Sequence, residues 1–143
     1  MIYLFIGQPG SGKTTIANKL LSTIGHHRTI MIDGDELREI FPNTDYSEKG
    51  RVENITRAFT IARFCNQKNF NVVISMVCPY RELREQFKSE NPVVEILVKR
   101  QEVGEKIQYH VKNFEEPEKN FIELDNNGMI NDTITELYKK LFS

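Results

Sequence analysis

Short apolar runs alternate along the chain with longer stretches in which apolar positions recur every three or four residues. The runs at Ile2–Ile6, Thr29–Asp33, Asn71–Val77, Val93–Val98 and Asn120–Leu124 predict five strands. Four of them are almost continuously apolar, as strands are when both sheet faces are covered. After the first run, Ile16, Leu20, Leu21 and Ile24 fall on one face of a helix. In the longest helix Val52, Ile55, Phe59, Ala62 and Cys65 do the same, with Ser47 placed to cap it. Shorter helices fit Asp35–Ile40, Tyr80–Lys88, Gln101–Lys112 and Ile130–Leu141. Strands alternating with helices predict an α/β fold, a three-layer sandwich around a central parallel five-stranded sheet with right-handed crossovers. No repeat or Pro/Gly/Ser-rich linker interrupts the pattern, so residues 1–143 read as a single domain.

Composition narrows the function classes. Charged residues make up 27% and hydrophobic ones 39% of the 143, and the formal charge is −1. That balance lacks the basic surplus of a nucleic-acid or membrane surface, so neither is expected as a partner. The opening MIYLFIG is too short for a signal peptide's apolar region, and no run approaches the roughly 18 to 20 apolar residues of a membrane helix. Cys65 and Cys78 lack metal or disulfide spacing and read as buried thiols, which points to the cytoplasm. His26 and His27 lie in an expected loop and carry no assigned role.

The strongest chemical signal follows the first strand. Gly7 to Thr14 read GQPGSGKT, a full match to the phosphate loop G-x-x-x-x-G-K-[ST]. Gly7, Gly10 and Gly12 let the backbone wrap closely around phosphate, the following helix turns its positive end to it, and Ser11, Thr14 and Thr15 complete the ATP-binding set. Lys13 sets a cation between the β- and γ-phosphates, and the Thr14 hydroxyl completes a Mg²⁺ shell. The loop sits between a predicted strand and a predicted helix, which places the fold among the P-loop nucleoside-triphosphate hydrolases and kinases.

A second strand-to-helix corner reads Asp33-Gly34-Asp35-Glu36-Leu37-Arg38. Carboxylates at a strand's C-terminal end beside a phosphate loop face the ligand crevice of an open α/β sheet. Asp35 is placed to accept a hydroxyl proton, Asp33 to help position Mg²⁺ through water, and Arg38 follows one helical turn on; helix capping by either Asp is the plainer alternative. Arg51 and Asn54 share a helix face and suit an oxyanion. A third corner, Cys78-Pro79-Tyr80-Arg81 with Arg84, combines a fixed turn with guanidinium groups that serve equally as exposed helix charges.

Together these segments resemble the adenylylsulfate (APS) kinase family. That family carries a GxPGSGKTT loop, a DGDxxR segment, an aromatic-Ser-x-x-x-Arg-x-x-Asn-Ile-x-Arg helix and an SPYRxxR corner. Here they appear in order as GQPGSGKTT from Gly7, DGDELR from Asp33, YSEKGRVENITR from Tyr46 and CPYRELR from Cys78. The resemblance implies ATP with Mg²⁺ as donor, Asp35 and Lys13 as catalytic residues, and 3′-phosphorylation of APS. It places Asp33, Arg38, Tyr46, Arg51, Asn54, Pro79, Tyr80 and Arg81 on the acceptor side, with Tyr46 where the family stacks a Phe on the base. It also implies a homodimer.

Two departures qualify the expectation. Cys78 replaces the serine of the SPYR corner, which leaves direct in-line transfer as the mechanism. The segment about 99–117 stands where the family has a longer lid with basic residues and a second stacking Phe. A lid excludes water and supplies positive charge; Arg100, Lys106 and Lys112 are the candidates to do so here. A kinase for another nucleotide conjugate, such as cytidine diphosphoramidate, is the nearest alternative. A nucleotide-binding domain without turnover is the alternative of another class.

Overall fold

The computed structural model describes residues 1–101 and 104–142. Strands β1 (Ile2–Ile6), β2 (Thr29–Asp33), β3 (Asn71–Ser75), β4 (Val93–Lys99) and β5 (Phe121–Asp125) form a five-stranded sheet in the order β2-β3-β1-β4-β5. Every pairing is parallel, and Leu4 of β1 lies level with Ile74 of β3 and Glu95 of β4.

Because strand side chains alternate between faces, β1 supplies both cores. Ile2, Leu4 and Ile6 join the cluster under α2 (Gly34–Ile40), α3 (Glu48–Gln67) and α4 (Arg81–Glu90). Phe5 joins the opposite cluster, with Ile16, Ala17 and Leu20 of α1 (Lys13–Ile24) and Leu137 of α5 (Ile130–Phe142). Ile2, Leu4, Phe5 and Ile6 are all 0% exposed, and each such side chain contributes about 1.5–3 kcal/mol by leaving water. Helices α1 and α4, which follow the adjacent strands β1 and β3, lie on opposite sides of the sheet. A crevice therefore opens at the strands' C-terminal ends, as expected where successive crossovers part.

Several local expectations need correction. The last strand starts at Phe121, because Asn120 takes a left-handed φ of 53° that no strand accommodates. The third strand stops at Ser75, and its continuation forms part of the crevice wall. Ser47 occupies the N-cap of α3, but its side chain makes no capping bond; its N–H donates to Asp45 Oδ1 at 2.9 Å instead. The buried stripe of α3 runs through Gly50, Asn54, Ile55, Ala58 and Ala62, so Phe59 and Cys65 sit at its margin. In place of an α-helix over 101–112 there is a 3-10 helix at Gly104–Tyr109; Glu102 and Val103 lie outside the described residues. Ile107 and Tyr109 are exposed there, so no apolar face consolidates a longer helix.

Candidate active site

The loop between β1 and α1 is built by close approach. A Cβ on Gly7 would stand 2.5 Å from the Val98 carbonyl oxygen. Gly12, at φ 90°, combines a left-handed backbone with the amide of Asn126 pressed so close that a Cβ would lie 2.3 Å from it. Asn126 Nδ2 donates to the Ser11 carbonyl at 2.9 Å, and its Oδ1 accepts from Thr133 Oγ1 at 3.0 Å. The start of α5 thereby braces the phosphate loop. Ser11 is buried with its hydroxyl unpartnered among the described residues.

Lys13 opens α1 with its ammonium 3.4 Å from the Gln8 carbonyl oxygen. Burial pulls its pKa down to about 8, against the opposing pull of Asp35 and Asp33, with Lys106 lowering it further. Those four charges thus share one field. Thr14 Oγ1, in the first turn of α1, lies 2.9 Å from Ser75 Oγ at the end of β3. Asp33 caps α2, accepting from the Asp35 N–H at 3.3 Å, so the capping alternative holds for its side chain while it still faces the crevice. Burial, ahead of its neighbours, holds the Asp33 carboxyl above the usual carboxylate range.

These groups line one cleft of about 820 Å³, within the range of ligand sites. Gly10, Gly12, Lys13, Thr14 and Thr15 form one end; Asp33, Asp35, Arg38, Tyr46, Arg51 and Asn54 form a wall opposite. Asn54 is buried, with Nδ2 donating to the Gly34 carbonyl at 3.2 Å and Oδ1 left without a partner. Arg38 is more committed than its sequence position suggests. Its Nη1 donates to Asn43 and to the Asp45 carbonyl at 3.0–3.1 Å, and its guanidinium lies 4.0 Å over the Tyr46 ring. One face of Tyr46 is thus already stacked.

The third corner divides. Pro79 and Cys78 line the cleft, whereas Tyr80 and Arg81 do not. Tyr80 packs into the core; Arg81 binds the following segment through Glu115, the Glu116 carbonyl and Glu118. Arg84, expected as either an exposed charge or a ligand, is neither: it is 0% exposed, with Nε 2.7 Å from Glu95 Oε2 and Nη1 2.7 Å from the Cys78 carbonyl. Burial pushes the Cys78 thiol up to about 12, so at neutral pH it holds its proton.

Sequence reasoning missed Ser75, Met76 and Val77 at the end of β3, and Gln108, Tyr109, His110 and Val111 on the roof of the cleft. A serine closing an apolar strand was the available signal for Ser75. Of the lid cations expected from sequence, Lys106 lines the cleft, while Arg100 and Lys112 do not.

Comparisons with known proteins agree with this geometry. The adenylylsulphate kinase family model matches residues 1–130. An adenylyl-sulfate kinase of Pseudomonas entomophila is 38% identical over 101 residues, 66% of this chain and 48% of that protein. A cytidine diphosphoramidate kinase of Campylobacter jejuni is 33% identical over 89 residues, covering 58% and 52%. The bifunctional enzyme NodQ of Azospirillum brasilense is 39% identical over 93 residues, 62% of this chain but 15% of that protein. The chain thus aligns with half or less of the length of several curated relatives. Among solved structures, the Mycobacterium tuberculosis APS kinase CysC, in complex with AMPPNP and APS, superposes with a TM-score of 0.82. The match covers 99% of this chain and 97% of that one at 17% identity, a likeness of fold.

Proposed function

This chain belongs to the adenylylsulphate kinase family, and from that premise we propose that it is an ATP-dependent kinase whose acceptor is adenosine 5′-phosphosulfate, phosphorylated on its ribose 3′-hydroxyl. The observation that carries the proposal is the convergence, in one cleft, of a phosphate loop, the Asp35 carboxylate and the Arg38–Arg51–Asn54 wall.

In this reading the loop's backbone N–H groups and Lys13 hold the β- and γ-phosphates. Asp35 orients the acceptor hydroxyl and takes its proton as the new P–O bond forms and the bond from the γ-phosphorus to the bridging oxygen breaks, releasing ADP. The oxygen donors at hand, Thr14 Oγ1, Ser75 Oγ and the Asp33 carboxylate, are hard ligands that fit Mg²⁺. Mg²⁺ bound with ATP would neutralise phosphate charge. Arg51 offers a cation to the conjugate's anionic end, and the unpartnered Oδ1 of Asn54 can accept from one of the acceptor's hydroxyl or amino groups. Transfer is direct and in-line from ATP to acceptor, since Cys78 stands in place of the serine hydroxyl of the corner motif and is buried.

A second acceptor is favoured by one observation. Arg38 covers one face of Tyr46, and stacking on the remaining face accepts any base, so a cytidine conjugate is the second reading. ADP release with Mg²⁺–ATP, measured against APS and a panel of cytidine and uridine diphosphate conjugates, separates the two. APS-dependent release with a 3′-phosphorylated product is expected. Turnover with a cytidine conjugate alone would replace the acceptor, and ATP binding without turnover on any conjugate would sink the kinase reading. Self-association, implied by the family, is read from the solution mass of the same preparation.

A further inference from the structure

Gln8 is a variable position of the phosphate-loop motif, yet its side chain reaches out of the loop. Nε2 donates to the Val111 carbonyl at 2.8 Å, and the Val111 N–H donates to Oε1 at 2.8 Å. A primary amide presents a donor and an acceptor on one planar group, so it can satisfy both backbone groups of a single residue, as a neighbouring strand would. The contact joins positions 103 residues apart.

The segment that Gln8 holds has little else to hold it. Gly104, Lys106, Ile107, Gln108 and Tyr109 are exposed. Among the described residues, the hydrogen bonds recorded from residues 104–113 to the rest of the chain are the two made with Gln8. Yet this segment roofs the cleft with Lys106, Tyr109 and His110. Gln8 also receives the Lys13 ammonium and the Ser11 N–H on its own carbonyl, at 3.4 and 3.2 Å. One residue therefore touches both the phosphate-binding cation and the roof.

We propose that Gln8 is a positioning residue: its amide clasps Val111 and holds the segment 104–111 over the cleft, so the phosphate loop itself carries the shortened lid. The clasp substitutes for the apolar packing that this segment lacks. It sets where the roof meets the acceptor rather than how tightly ATP binds. The functional half of this inference rests on the kinase reading above; the clasp itself does not.

Two variants approach the clasp from opposite sides. Gln8→Leu removes both hydrogen bonds from the loop side, and Val111→Pro removes the donor N–H without touching the phosphate loop. Amide exchange in Gln8→Leu should be at least about tenfold faster at Val111. The acceptor KM should rise about tenfold in either variant, and no further in the double variant, because both remove one interaction. Parental exchange at Val111 in Gln8→Leu would overturn the clasp. Fast exchange with an unchanged acceptor KM would overturn the positioning role, as would additive effects of the two variants. Loss of ATP affinity in Gln8→Leu but not in Val111→Pro would make Gln8 a phosphate-loop residue only. Should the parent turn over no conjugate, the kinase reading fails while the exchange measurement still decides the clasp.

Discussion

The Lys13 ammonium sits in a pocket that disfavours its charge, and burial outweighs the nearby Asp35 and Asp33 to leave its pKa at about 8. The protonated form binds phosphate, so ATP affinity should be greatest below that pH and fall as pH rises through about 8. Phosphate restores the charge, so binding should take up a proton between about pH 8 and 10. Titration calorimetry in buffers of different ionisation enthalpy measures that uptake, and a proton balance near zero at pH 9 would contradict it. On the proposed kinase reading Asp35 bears on chemistry rather than affinity: Asp35→Ala should lower turnover by about 10²–10⁴ while ATP affinity stays within a few-fold, as expected on losing a proton acceptor. Turnover at the parental level would remove Asp35 from the mechanism. That Lys13, Thr14 and Asp35 share one cleft was legible in sequence, because each follows the C-terminal end of a strand in a parallel sheet. Ser75 was not, since its hydroxyl matters only because β3 lies against β1 and sets it 2.9 Å from Thr14.

Among the elements, α4 shows how far a helix face can mislead. Read alone, Arg81 and Arg84 are charges on a polar helix. In the fold Arg84 is buried against Glu95 on β4, and Lys88 closes the group with 2.7 and 2.8 Å contacts to Glu95 and Glu85. Burial opposes the Lys88 charge, yet its carboxylate partners hold its pKa above the ordinary value. Removing Arg84 leaves the buried Glu95 with Lys88 alone and takes the donor from the Cys78 and Glu115 carbonyls. Arg84→Met should therefore cost about 3–5 kcal/mol of stability, and Arg84→Met with Glu95→Leu should recover part of it, since Lys88 keeps Glu85 as a partner. Denaturant midpoints check both; equal losses in the single and double variants would refute the stranded-charge account. The pairing was invisible in sequence because a charged residue inside a strand, as Glu95 is, acquires its partner from a helix that packs on the same face. The segment 101–112 misled in the opposite direction: its spacing suits a helix, but with no core to bury against, a short 3-10 helix forms and the contact with Gln8 holds it.

For the whole molecule, β1 is the hub. It pairs on both edges, with β3 and β4, and feeds both cores, whereas β2 and β5 each pair on one edge. Amides of Leu4 and Phe5 should exchange only through global unfolding, with those of β5 and the segment 104–111 exchanging sooner. Exchange at β1 as fast as at β5 would show that the sheet does not open from its edges. The sequence by itself determined the α/β alternation, the five strands to within two residues at their ends, the phosphate loop and the family. Those features rest on periodicity and local spacing, which the chain carries residue by residue. Tertiary structure alone decided that Arg84 is a core residue, that Arg38 is already stacked on Tyr46, and that Ser75 and Asn126 brace the phosphate loop. It also decided that Gln8 reaches Val111. Each of these depends on which elements pack together, and distant side chains gain partners only when the sheet order brings them within hydrogen-bonding distance.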